Sequence, residues 1–331
     1  MTTKREAILN GVAKASELHA KLGVRQALSE GVGAIDVYGA AHQLGLLVMF
    51  RPLRGLLGAY VPTRDASGML ITTARDLHVQ RFTAAHELGH HVLAHRALSL
   101  DKVVGFVGRG ETSTHDLQEV EADAFAAEFL LPKWLVVAHV NRQGWSTKDL
   151  AQQDIAYQLS LRLGASYSAT CWALLSHNIL TRTQAMTLEA AEPKAAKRRA
   201  LPGPKPSDWH RDIWVLSEKD KGAHLIGGPE DMIVVSLNEH IAGGYAWDES
   251  GIKKAGMNLH SDDRLSAADN RLGGGVRRRF IMQGQGQAHL HLEERRPWDS
   301  SQESIDSFEV DLTLVGREAA GLPRAGRQLA A

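Results

Sequence analysis

Apolar residues recur at helical spacing from the first turns of the chain. Ile8, Val12, Ala15, Leu18 and Leu22 fall near one face, which predicts a helix over 4–21. A shorter helix over 35–44 opens at Asp36, whose side chain can cap free amides. Three extended segments follow, Leu46–Phe50, Gly58–Val61 and Met69–Thr73, separated by Pro, Gly and Asp-Ala-Ser-Gly turn chemistry. Helical periodicity returns over 77–96 and over 116–131, which Pro132 stops. Two more helices are expected over 153–163 and 167–178, broken at Gly164, with Ser166 as N-cap.

The texture then changes. EAAEPKAAKRRALPGPKPS, from Glu189 to Ser207, holds four prolines and a basic cluster and predicts a linker over 184–207. Beyond it the period becomes two. Phe308, Val310, Leu312 and Leu314 alternate with Glu309, Asp311 and Thr313, and Ala288, Leu290 and Leu292 alternate with His289, His291 and Glu293. Short strands with glycine-rich turns predict an all-β sandwich over 208–316, and 317–331 is expected to be a loose tail. The first unit, 1–183, reads as α+β, with its core at about 30–140 and the helical pair within 147–180.

Composition narrows the function classes. The chain has 331 residues with 38 basic against 38 acidic side chains, which excludes a protein that coats nucleic acid with positive field. The balance is uneven along the chain: 15 basic against 20 acidic residues follow Ser207, leaving room for an acidic module that attracts a basic partner. A single cysteine, Cys171, forbids an intrachain disulfide and sits in an apolar stretch, as a small buried hydrophobe would. The start, MTTKREAILN, lacks the apolar core of a secretory signal. The run Leu46–Phe50 is far short of the roughly 20 residues that span a bilayer. A cytoplasmic location without membrane contact is expected.

The chemistry concentrates in RFTAAHELGH. His86 and His90 are four apart, so a helix presents both from one face to a shared ion, while Glu87 lies beside them, placed to take a proton from water at the metal. A catalytic zinc needs a third protein ligand. In QEVEADAFAA, Glu119 and Asp123 share a face, so the economical assignment puts Glu119 on the metal and Asp123 on a ligand histidine's other N–H. Glu121, on another face, is the alternative ligand. His91 and His95 are expected at the surface or supporting the site; His289 and His291 share one face of a strand, which could bind metal, though a solvated sheet face is the expectation.

The run RFTAAHELGHHVLAH, then EVEADAFAAEFLLP, resembles the ImmA/IrrE-type zinc metallopeptidases of bacteria and mobile elements. The resemblance covers roughly residues 30–178. It implies a zincin-like fold, Zn2+, and proteolysis of a specific protein, commonly a helix-turn-helix transcriptional repressor. His86, Glu87, His90 and Glu119 match the family's motif positions, and Asp123 stands where the family has Asn or Asp. Tyr60 and His115 are candidate oxyanion donors, and Met69–Thr73 is expected to be the edge strand along which a substrate lies. Residues 153–178 have the shape of a helix-turn-helix, but Ser166–Leu175 carries no basic residue to read bases, so direct DNA binding is not expected.

Three stretches after the linker resemble the binding loops of chagasin-type cysteine-peptidase inhibitors: Val235–Trp247, Gly273-Gly274-Gly275 with the following VRRRF, and Glu294–Trp298. This implies an immunoglobulin-like sandwich whose loops meet at one end. Candidate protein-binding residues are Tyr245, Trp247, Gly273, Gly274, Gly275, Arg296, Pro297 and Trp298. Where the family has Asn-Pro-Thr-Thr this chain has His240-Ile241-Ala242-Gly243, losing the rigid proline that would keep the loop ordered before docking. The main reading is therefore a zinc endopeptidase with a protein-recognition sandwich. The alternatives are a cysteine-peptidase inhibitor that engages a papain-like enzyme, and a DNA-binding regulator with a structural metal.

Overall fold

The computed structural model describes residues 3–28, 33–62, 67–95, 114–201, 208–266, 276–299 and 303–324. Helix α1 (Lys4–Lys21) starts at a capping box between Thr3 and Glu6, and is followed by α2 (Val24–Ala27) and α3 (Val37–Gln43). Asp36 caps α3 by accepting from the amides of Tyr38 and Gly39 at 3.1 and 3.0 Å. Strands β1 (Leu47–Arg51), β2 (Gly58–Val61) and β3 (Gly68–Thr72) form a sheet of order β1-β3-β2. The β1–β3 pair is parallel and the β3–β2 pair antiparallel. Met69–Thr73 was expected at the edge, but β3 is the middle strand, and its Met69, Ile71 and Thr72 are buried as a middle strand's side chains are. The edge beside the next helix is β2.

Helix α4 (Leu77–Val92) packs on that sheet, and α5 (Thr114–Leu130) packs on both α4 and α1. The core between them includes Phe50, Ile71, Leu88, Phe125 and Phe129. Three more helices, α6 (Lys133–Gln143), α7 (Thr147–Leu150) and α8 (Gln153–Leu163), lead to Gly164, whose φ of +62° ends α8, and Ser166 then caps α9 (Tyr167–Ser176). Cys171 is buried in α9, and burial pushes its thiol up to about 11, as an inert core position requires.

The stretch expected as a linker is instead helical over much of its length. Helix α10 (Arg182–Glu189) buries Ala185 and Leu188, and α11 (Pro193–Ala200) buries Ala196. Pro193 occupies the first turn, where proline starts a helix because that N–H has no helical partner. Lys197 is buried too. Its ammonium donates to the carbonyls of Trp209, His210 and Arg211 and pairs with Asp212 at 3.0 Å.

The second unit has β4 (Ile213–Leu216), β5 (Ala223–Gly227), β6 (Met232–Glu239), β7 (Ala246–Trp247), a short helix α12 (Ser250–Lys254), β8 (Asn258–Ser266), β9 (Val276–Gln283), β10 (Gly286–Arg295) and β11 (Asp306–Leu314). They form two four-stranded sheets, β5-β11-β10-β7 and β4-β6-β9-β8, around a core that includes Trp214, Phe280, Phe308 and Trp247. In β6, Met232–Val235 is buried on both faces, because Leu201, Ala200 and Trp209 cover the outer side. That is why the alternation seen in β10 and β11 is missing there.

The two units are joined by buried polar contacts. Arg162 of α8 forks onto Asp220 through Nε and Nη2, each at 3.0 Å, and Gln158 bonds Ile213 O and Val215 N at 2.8 and 2.9 Å. The predicted loose tail returns to the first unit. Glu318 N donates to Gln80 Oε1 of α4 at 2.7 Å, and Gly321 exchanges two backbone hydrogen bonds with Phe50, at 2.8 and 2.9 Å. No helix among the described residues is long and apolar enough to cross a membrane.

Candidate metal centre

Helix α4 carries His86, Glu87 and His90, all buried; α5 carries Glu119, Glu121 and Asp123. The helices approach closely because Gly89 stands where they cross: a Cβ there would meet the Phe125 ring at 3.0 Å. The Nε2 atoms of His86 and His90 lie 3.0 Å apart, and the Glu119 carboxylate reaches them at 3.2 and 3.5 Å. These three side chains are grouped closely enough to hold one metal ion.

The hydrogen bonds around them fix which nitrogens are free to bind. Asp123 Oδ1 accepts from His86 Nδ1 at 2.9 Å, leaving the lone pair on His86 Nε2. Glu121 Oε2 accepts from His95 Nε2 at 2.7 Å, so in the neutral ring His95 Nδ1 is the acceptor. It therefore accepts a hydrogen bond from His90 Nδ1, 2.9 Å away, and the lone pair of His90 also sits on Nε2. Both lone pairs face Glu119. His86 without an ion tends to keep a proton instead: burial opposes its charge, but bonds to Asp123 and Glu119 and the charge of Glu87 push it up to about 10. Two nitrogens and one carboxylate converging in this way fit a zinc-type donor set.

Glu121, the alternative ligand in the sequence, is thus turned toward His95 rather than toward the His86–His90 pair. His95 is buried at 8% exposure, and the turn that brings it back passes through Ala94 at φ +54°, an unfavourable conformation for a residue with a Cβ. His91, by contrast, bonds Tyr60 Oη at 3.0 Å on another face.

Glu87 is 4% exposed. Burial pushes its carboxyl up to about 7, the Glu119 charge adds to this, and His86 and the Tyr60 amide oppose it. That amide belongs to β2, an edge strand among the described residues, so the carboxylate touches the backbone of that edge. Gly58 makes the approach possible: a Cβ there would lie 2.4 Å from Thr83 Cγ2 and 2.9 Å from Glu87 Oε1. The sequence reading missed Gly58; a glycine within a short strand was the available signal of close approach. The Tyr60 hydroxyl is engaged by His91 and Ser67, and the His115 side chain lies outside the described residues.

At the end of the sandwich, the Arg296 guanidinium lies 4.7 Å over the Tyr245 ring, Pro297 is exposed, and Trp298 is 73% exposed. The Trp298 ring edge rests on Gly244, where a Cβ would fall 2.5 Å from it. Trp247 corrects the expectation of a surface residue: it is a core side chain, with Nε1 donating to Asn238 O at 2.7 Å. Gly273, Gly274 and Gly275 lie outside the described residues. The first loop is clamped by a side chain the sequence did not suggest, buried Glu294, which accepts from His240 N at 2.5 Å and bonds its ring at 2.8 Å.

Comparison with known proteins agrees with both units. Residues 41–175 match the family model Peptidase_M78, the IrrE N-terminal-like domain, and residues 229–312 match the chagasin family of peptidase inhibitors, I42. The chain thus carries a metallopeptidase-like domain followed by a chagasin-like domain. Among solved structures it is similar to the cysteine protease inhibitor EhICP2 from Entamoeba histolytica, 23% identical with a TM-score of 0.29, covering 34% of this chain and 99% of the inhibitor. It is also similar to Amebosin, 17% identical with a TM-score of 0.25, covering 31% of this chain and 97% of Amebosin. No curated protein matches the chain.

Proposed function

We propose that this protein is a zinc endopeptidase that cuts one cytoplasmic protein, a helix-turn-helix transcriptional repressor, and that its sandwich recruits that substrate. The observation that carries the reading is the convergence of His86, His90 and Glu119 beside a buried Glu87 that touches an antiparallel edge strand. An ion held by those three side chains would supply Lewis acidity at a scissile carbonyl and make an adjacent water more acidic.

The remaining work falls to residues of the chain. An extended substrate segment adds to β2, antiparallel, using the outward backbone groups of that strand that Glu87 does not engage. Glu87, with its carboxyl held near neutrality by burial, takes the proton of the attacking water and returns it to the leaving amine. Asp123 and the Glu121–His95 pair keep the two imidazoles oriented through both steps. A folded repressor must present a loop or an opened strand to this edge, so docking on the sandwich contributes to selectivity. Its 15 basic against 20 acidic residues after Ser207 suit a basic partner.

The test is cleavage of candidate helix-turn-helix repressors, beginning with any that a neighbouring gene encodes, by wild type and by Glu87→Gln. The variant is expected to fold, to bind one zinc at the peptidase site, and to cut at least ~10²-fold more slowly. Normal cleavage by the variant removes the mechanism. Failure of the wild type to cut any such repressor while it cuts another protein removes the substrate only.

A second reading, inhibition of a papain-like cysteine peptidase, is favoured by the exposed Trp298 beside the stacked Arg296 and Tyr245. The full Glu87→Gln chain added to such an enzyme tests it, and no inhibition at micromolar concentration sinks it. For DNA reading the surfaces are poor: α9 carries no Lys or Arg, and Gln158 and Arg162 of α8 are bound to the sandwich.

A further inference from the structure

Strand alternation sorts β5, β11 and β10 into an apolar inner face and an outer face rich in metal-binding side chains. Leu225, Val310, Leu312, Leu290 and Leu292 point into the sandwich core. Outward, His224, Asp311 and His289 lie in one cross-strand row, and Glu309 stands directly opposite His291. The carboxylates of β11 therefore separate imidazoles on both of its neighbours.

We propose that this face is a second metal site, in which His289, His291 and Glu309 bind a divalent transition ion of the zinc, nickel or copper class. One ligand atom from each of the three lies within 4.8 Å of the other two. The two rings are held by residues i and i+2 of one strand, are tilted by only 12° and have centroids 6.3 Å apart. Glu309 Oε2 is 3.7 Å from His291 Nδ1. Closing these distances to those of a bound ion needs side-chain rotation on a fixed backbone, which exposed side chains make readily.

One further contact favours an ion over plain ion pairing. Asp311 Oδ1 accepts from His289 Nδ1 at 2.8 Å, which leaves the lone pair of that ring on the solvent-facing Nε2. Ion pairs between exposed side chains contribute little in water, so the contacts with Glu309 and Asp311 do not by themselves account for the cluster. A donor set of two nitrogens and one oxygen suits borderline ions, whereas calcium and magnesium take oxygen ligands. The site lies on a sheet of the second unit and shares no residue with the cluster on α4 and α5.

The experiment uses the full chain with His86→Ala and His90→Ala, titrated calorimetrically with zinc chloride alone. One equivalent is expected to bind with a dissociation constant of about 10 µM or tighter. Adding His289→Asn and His291→Asn is expected to weaken binding at least tenfold, and Glu309→Gln several-fold, while His224→Asn leaves it within twofold. Binding unchanged by the histidine pair, or no saturation below 1 mM, overturns the proposal. A loss with His224→Asn as large as that of the pair overturns the assignment of ligands. Metal content of the wild-type chain after dialysis against zinc at about 30 µM, roughly three times that constant, gives an independent readout. Two equivalents that fall to one in His289→Asn/His291→Asn support the site, and one equivalent in both overturns it.

Discussion

Glu121 serves the candidate centre without reaching it. Its carboxylate fixes the tautomer of His95, which in turn fixes that of His90, so its contribution is delivered two hydrogen bonds away. Glu121→Gln is expected to keep the fold and to weaken zinc binding at the peptidase site by about 10- to 100-fold, the usual effect of losing such a support. Competition with a chelator of known affinity measures it, and an unchanged constant refutes the relay. His139 sets a prediction about acid. Burial, with Arg162 and Arg142 nearby, pulls it down to about 3. The unfolded chain therefore binds the proton first, and the stability that His139 contributes is full above about pH 6.5 and is lost as the pH falls from there toward 3. His139→Leu is expected to flatten the dependence of the urea midpoint on pH between 6.5 and 4.5 by one proton, at most ~1.4 kcal/mol per pH unit. At this scale the sequence was readable wherever helix spacing alone does the placing: His86 with His90 and Glu119 with Asp123 follow from i,i+4 geometry. The His95 role was not, because it depends on a left-handed turn at Ala94, which has no signature in residue type.

Helices were easier to read than their neighbours. The expected segments for α1, α3, α4, α5, α8 and α9 lie within a few residues of those observed, since each carries its own period and stop signal. Strand order is another matter. The periods of β2 and β3 say which faces are apolar but not which strand lies outermost, and that decided where the open edge falls. Pro and Lys mark a linker over 184–201 by composition, whereas in the fold Pro193 opens a helix and Lys197 donates to three backbone carbonyls. One contact between elements is sharp enough to test. A Cβ on Gly11 of α1 would lie 2.3 Å from Glu121 O and 3.0 Å from Phe125 N, both backbone atoms of α5. Gly11→Ala would raise helix propensity by about 1 kcal/mol, but overpacking against backbone costs about 1–3 kcal/mol. Net destabilisation by chemical denaturation, with weaker zinc binding as α5 shifts, is expected. A gain in stability would show that α1 yields freely.

Across the whole molecule, Arg162 and Asp220 couple the two units. Both are buried, and truncating one leaves the other charged and unpaired, at a cost of about 3–5 kcal/mol. Arg162→Ala is expected to lower stability by that order and to resolve calorimetric unfolding into two transitions. One transition at an unchanged midpoint would mean the units are joined by other contacts. Two domains and their order were legible from the change of period. Their docking was not, because Arg162, Gln158 and Asp220 read as ordinary surface residues until the partner face is known.

The return of the chain to Phe50 has a consequence for what the small sheet can accept. Any three-stranded sheet has two rows of unsatisfied backbone groups, each an invitation to a stray strand. Here one row is interrupted within the same polypeptide, at Phe50 of β1, by a segment that has first passed through the sandwich. An incoming peptide is thereby steered to the opposite margin, the side where Glu87 waits. Removing Gly321 would leave the Phe50 N–H and C=O unpaired and offer a stray strand a second place to add.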